Sequence, residues 1–252
     1  MDILDYQLTL DPGDILRLQG ELKIYFDKIQ LKVNRKDETS NFFTMHEDME
    51  LDYLIRDFNN KRFSLIINYA LAKKYLEKGI PDNPYYQSPG KNGSGVSYFP
   101  LFKEEHHANH YWYGFYVEAF YFRFEGLIDS IYHIVNSKFN LEISTGVGFQ
   151  SKILKKIKIE NPSLALTLKN IKKNDIYIKA KNIRNDITHN FSPNKLGSGV
   201  KTHKNKEGAI GVVSVGVPEY MSVFEIQTNI NNIIQLLAKL TESVQKKLCI
   251  KK

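Results

Sequence analysis

The chain has 252 residues, an ordinary apolar fraction and a formal net charge of +7 carried mainly by lysine. That length buries a core unaided, and the basic balance suits a phosphate-bearing partner, with genome base composition as the alternative source of the abundant Lys, Asn and Ile. Cys249 is the only cysteine, which excludes an internal disulfide and a cysteine-rich metal site and fits a reducing cytoplasm.

The segment Met1–Asp5 is acidic and lacks the basic-then-apolar pattern of a signal peptide. Asp11-Pro12 pairs an N-cap with a first-turn proline, and Ile15, Leu18, Leu22, Tyr25 and Ile29 continue one apolar face. The polar run from Asn34 to Asn41 ends that helix. A second helix is predicted from about Glu47 to Lys78, where Leu51, Ile55, Phe58, Leu65, Tyr69, Ala72 and Leu76 form a stripe interrupted by Arg62.

From Gly79 to Pro100 prolines and glycines mark a long irregular connection. Neither the Lys91 region nor Gly197–Thr202 has the spacing of a phosphate-cradling P-loop. A third helix is expected from Glu105 to Asn136, with Tyr116, Phe120, Phe124, Leu127, Ile131 and Ile134 as its core stripe. Glu118, Phe122, Glu125, Asp129 and His133 form a separate stripe. Charges at Glu118, Arg123 and Glu125 exclude a membrane span there.

After a break from Asn140 to Gly148, a helix starts at Asn161-Pro162 and is interrupted at Lys173–Asp175, with Asp175 recapping the next segment. Ser192-Pro193 ends that segment. Lys195–Pro218 reads as a β-hairpin or a flap, and Ile226, Ile230, Ile233, Leu237, Leu240, Val244 and Leu248 mark a closing amphipathic helix. The expected fold is all-α: a helical bundle over 105–252, a long N-terminal helical extension over 1–104 packed on it, and at most a short β-hairpin near 207–217.

The chemistry concentrates in Ile183-Arg184-Asn185-Asp186-Ile187-Thr188-His189. Ile176, Ala180, Ile183 and Ile187 share one face and anchor the helix, while Asn185 and His189 stack four apart on an adjacent face. Arg184 supplies a permanent planar cation for phosphate, and His189 supplies a base that titrates near neutrality. RNA carries its own nucleophile in the 2′-OH, so Arg184, His189 and Asn185 are catalytic candidates that need no metal or other cofactor. Asp186, Glu118, Glu125 and Asp129 are supporting candidates, and Lys181, Lys201 and Lys204 are RNA-contact candidates within the basic runs. His106 and His110 lie four apart but lack a third metal ligand. One histidine does not readily serve as both acid and base, so a twofold homodimer is expected to bring two motifs to one site.

The Arg184–His189 pattern and its setting on a helix, between a long helix and a closing amphipathic one, resemble the HEPN superfamily. The resemblance spans roughly Glu105 to Leu248. Many HEPN proteins are metal-independent endoribonucleases of toxin–antitoxin, abortive-infection or CRISPR-linked defence, and others have lost activity. It implies a cytoplasmic RNA-cleaving homodimer with a composite site and an antitoxin or defence-system partner. The alternatives are an inactive HEPN-type module that binds RNA or a protein partner, or a bundle in which the motif is incidental. In some toxin members a tyrosine two residues after the histidine is nucleotidylated by the antitoxin. Phe191 stands there in this chain, so that mode of control is not implied.

Overall fold

A computed structural model describes residues 2–32, 45–90, 93, 95–204 and 210–248, with side chains omitted at 45–48, 201–204 and 210–214. After a short 3-10 turn at Ile3–Tyr6, helix α1 spans Pro12–Gln19. Asp11 caps it, its carboxylate accepting from the Asp14 N–H at 2.7 Å. The single N-terminal helix expected from the sequence is broken: Gly20 (φ 49°) turns the chain, and a second segment, α2 (Lys23–Lys28), follows. The apolar face survives this break because Leu18, Phe26 and Ile29 are all buried. The polar run 34–41 lies outside the described residues.

Helix α3 (Met45–Lys78) and helix α4 (Glu104–Lys138) pack along each other as the most extensive pairing in the fold. Arg62, the interruption in the α3 stripe, donates from Nε to the Phe26 carbonyl at 2.8 Å, so it satisfies the end of α2. The α4 stripe behaves as expected, with Phe120, Phe124, Leu127, Ile131 and Ile134 buried. At 35 residues, α4 is about 52 Å long at the rise of an α-helix, and it touches α3, α5 and α7 along its length. The connection from α3 to α4 holds a two-residue antiparallel pair, β1 (Tyr86–Gln87) and β2 (Ser97–Tyr98).

Helix α5 (Phe149–Glu160) occupies a stretch where the sequence reading placed no helix. Phe149, Ile153 and Ile157, each four apart, bury one narrow stripe, while the lysines of the 152–158 run fill the remaining surface and mask that period. Helices α6 (Pro162–Ile171), α7 (Asp175–His189) and α8 (Val223–Leu248) complete the bundle. Asn174, not Asp175, caps α7: its backbone is extended and its side chain accepts from the Ile176 N–H at 3.0 Å. Between α7 and α8, β3 (Val200–Lys204) and β4 (Ile210–Val215) pair antiparallel, the hairpin anticipated for Lys195–Pro218. The architecture is an all-α bundle, and no described helix is long and apolar enough to cross a membrane.

Candidate functional site

Helix α7 carries the motif at its last turns. Ala180 and Ile183 are buried, Ile176 and Ile187 pack half-buried against the core, and Tyr177 joins them. With the apolar face held, Arg184, Asn185 and Asp186 come out half-buried and His189 exposed.

Arg184 donates from Nη1 to Asn185 Oδ1 at 3.1 Å. The Asn185 oxygen is therefore committed to the arginine and not to the imidazole, while its NH2 group remains for an incoming oxygen. Thr188 Oγ1 donates back to the Arg184 carbonyl at 2.8 Å. Asp186 accepts from Asn190 Nδ2 at 2.9 Å and, through its carbonyl, from the Asn190 N–H, so it closes the helix end three residues before Pro193. No described residue hydrogen-bonds the His189 ring.

The acidic stripe of α4 does not converge on the motif as a unit. Glu118 accepts from Lys195 Nζ at 2.9 Å, which ties it to the segment after α7. Asp129 accepts from Gln150 Nε2 at 2.5 Å, at the start of α5. Of these acids, Glu125 is the one whose carboxyl feels the Arg184 charge. Its Oε1 and the Arg184 Nε are both buried without a hydrogen-bond partner. Burial, then Asp129, pushes the Glu125 carboxyl above its ordinary range, against the pull of Lys181, Arg184 and Lys172. Unpartnered buried polar atoms are uncommon and mark a strained or ligand-seeking site. The Tyr177 phenol is likewise pushed up by burial, then by Glu125 and Asp129.

Tyr177, Lys172 and Lys195 were not singled out from the sequence. Tyr177 had a signal, since it stands three before Ala180 and seven before Arg184. The two lysines depend on how the chain folds back. Lys181 is exposed beside Glu125, whereas the side chains of Lys201 and Lys204 lie outside the described residues.

Beyond α7 the chain docks on α4. Asn194 is buried and accepts from Ser192 Oγ at 2.7 Å. It lies so close to Gly114 that a Cβ there would fall 2.5 Å from its Nδ2. At the start of α4, His106 Nδ1 accepts from the Lys103 N–H at 3.1 Å, and His110 Nε2 lies 3.0 Å from the Tyr220 hydroxyl. Among the described residues no three His, Cys, Asp or Glu side chains gather as a metal group.

Compared with known proteins, the chain matches the Cthe2314-like HEPN family over residues 54–248. No curated protein and no solved structure matches it.

Proposed function

The chain belongs to the Cthe2314-like HEPN family, and from that membership we propose that it is a metal-independent endoribonuclease acting as a homodimer. We place it in the cytoplasm, as a toxin or antiviral-defence component with a cognate antitoxin or system partner. The observation that carries this reading is the contrast within the motif. Arg184 is half-buried and fixed by Asn185 beside the Glu125 carboxyl, while His189 stands exposed in the next turn.

A fixed guanidinium is preorganised for phosphate, and an exposed imidazole is free to move protons. The 2′-oxygen attacks the adjacent phosphorus, the bond from phosphorus to the 5′-oxygen breaks, and a 2′,3′-cyclic phosphate and a 5′-hydroxyl result. His189 takes the 2′-OH proton, and a second copy's His189 returns one to the leaving oxygen. Arg184 neutralises the charge that grows on the phosphate oxygens. Exposed Lys181 adds positive charge on the approach.

The test is cleavage of single-stranded RNA by the purified chain. His189→Ala and Arg184→Ala are each expected to reduce the rate at least about a hundredfold, with unchanged circular dichroism and no effect of EDTA. Unchanged cleavage by His189→Ala overturns the reading.

A second reading, a non-catalytic HEPN module that binds RNA or protein, is favoured by one observation: among the described residues of a single chain none hydrogen-bonds the His189 ring. Two motifs facing one cleft in the dimer favour catalysis. A monomer, or motifs on opposite sides, favours the binding module.

A further inference from the structure

Next to the motif, α4, α5 and the connection between them border a cleft of about 410 Å3, within the size range of clefts that hold small ligands. Its wall carries an aromatic surface. The His133 and Phe149 rings both line it, with centroids 4.7 Å apart and planes tilted by 34°. His133 is half-buried and leaves imidazole on the wall. A cation lines the same space, Lys172, whose ammonium sits 5.2 Å from the Tyr132 ring centroid. Helix α5 opens onto the cleft at Gly148 (φ 79°), an N-cap that offers its first turn no side-chain acceptor. An aromatic face suits a nucleobase, and a lysine on the same wall as the start of a helix suits its phosphate.

The cleft approaches the motif along α4. Asp129 lines the cleft and lies one turn of α4, about 6 Å, from Glu125, the acid whose carboxyl feels the Arg184 charge. Lys172 is close enough to Glu125 for each to shift the other's protonation, and burial and then Lys181 push the Lys172 ammonium down. A strand whose phosphate rests at Arg184 therefore has the aromatic wall within reach of its neighbouring base. A base held in a duplex cannot present its face to such a wall, whereas an unpaired one can.

Resting on the ribonuclease reading above, we propose that this cleft holds one unpaired nucleobase of single-stranded RNA, stacked on His133, whose ring the buried Phe149 backs, with its phosphate at Lys172. The occupant then selects unpaired RNA over duplex.

The test uses the full chain with His189→Ala, so that RNA stays intact, and a labelled oligoadenylate as probe. Binding is expected to weaken about tenfold when the probe is a ribose-phosphate oligomer without bases, and likewise when it is duplexed. His133→Ala and Lys172→Met should each weaken oligoadenylate binding by about the same factor. Phe149→Leu, which preserves the core, should remove only the dependence on bases. In the imidazole NMR spectrum, 5′-AMP should shift the His133 resonances.

Equal affinity with and without bases, or unchanged affinity in the His133 and Lys172 variants, overturns the cleft. It leaves the ribonuclease reading intact, since cleavage by the unmodified chain decides that separately. A His133 shift with 5′-AMP in a chain that neither cleaves nor binds RNA overturns both the RNA occupant and the ribonuclease reading.

Discussion

Helix α4 borders two polar constellations, one near its start and one past its middle, and they are built on opposite terms. Near its start, Asp82 is only 5 % exposed, and its Oδ2 accepts from the Tyr220 hydroxyl and the Val223 N–H, each at 2.7 Å. Because Tyr220 spends its proton on Asp82, its oxygen accepts from His110 Nε2 at 3.0 Å. Farther along, where α4 meets α7, Glu125 Oε1 and Arg184 Nε are buried and unpartnered. Closed networks hold a fold in one arrangement, while open ones keep capacity for a ligand. The Asp82 network staples the α3–α4 connection to the first turn of α8, whereas Glu125 and Arg184 each keep an unpartnered buried atom.

The largest expected effect falls on the closed network. Asp82→Ala removes two charge-assisted bonds and leaves the Val223 amide and the Tyr220 hydroxyl without their acceptor. The expected loss is roughly 3 kcal/mol of unfolding free energy, read from urea denaturation. A loss below about 1 kcal/mol, the value of one ordinary hydrogen bond, would make the network dispensable and erase the contrast.

The two constellations also differ in how far the sequence announced them. Long helices with strong stripes were readable: α3, α4 and α8 lie close to where Phe58, Phe124 and Ile233 predict them. Caps at Asp11 and Asn161 were readable because each precedes a proline. Helix α5 was not, since three buried residues among lysines give too thin a period, and the Gly20 break was hidden by an apolar stripe that continues across it. The Arg184-to-His189 spacing could be placed on a helix face, but not which acid feels the Arg184 charge. Glu118, Glu125 and Asp129 look equivalent on α4. They separate only because Lys195 returns to Glu118 and Gln150 reaches Asp129, and both contacts are tertiary. Asp82, Tyr220 and His110 are scattered over more than a hundred residues, so no local pattern links them.

A comparable effect in the same network depends on pH. Burial pushes the His110 imidazole down to about 4, with Asp82 opposing and His107 and Lys195 reinforcing the shift. In the unfolded chain a histidine titrates near ~6.5. Between these values the unfolded chain binds a proton that the folded chain refuses, so stability falls as pH drops through the window and levels off below it. The span corresponds to roughly 3 kcal/mol, measurable as a drop in the urea midpoint from neutral pH to pH ~4. His110→Gln should flatten that segment of the profile, and a slope that persists in this variant would assign it to other groups.

The smallest expected effect on stability, and the sharpest contrast, lies at the open pair. Burial holds the Glu125 carboxyl above its ordinary range, with Asp129 adding to the shift, so at neutral pH its charged form is a burden on the folded state. That burden is relieved as pH falls through the raised value, the reverse of a salt-bridged carboxylate. Glu125→Gln keeps the shape and removes the charge, so the unfolding midpoint should hold or rise. Arg184 keeps its bond to Asn185 but loses a nearby negative charge, so its remaining guanidinium nitrogens should be held less firmly. RNA cleavage is then expected to fall roughly ten- to a hundredfold in kcat, with KM little changed because Lys172 and Lys181 still attract the strand. Loss of stability in Glu125→Gln with activity retained would make this site another staple, and the two constellations along α4 would no longer differ in kind.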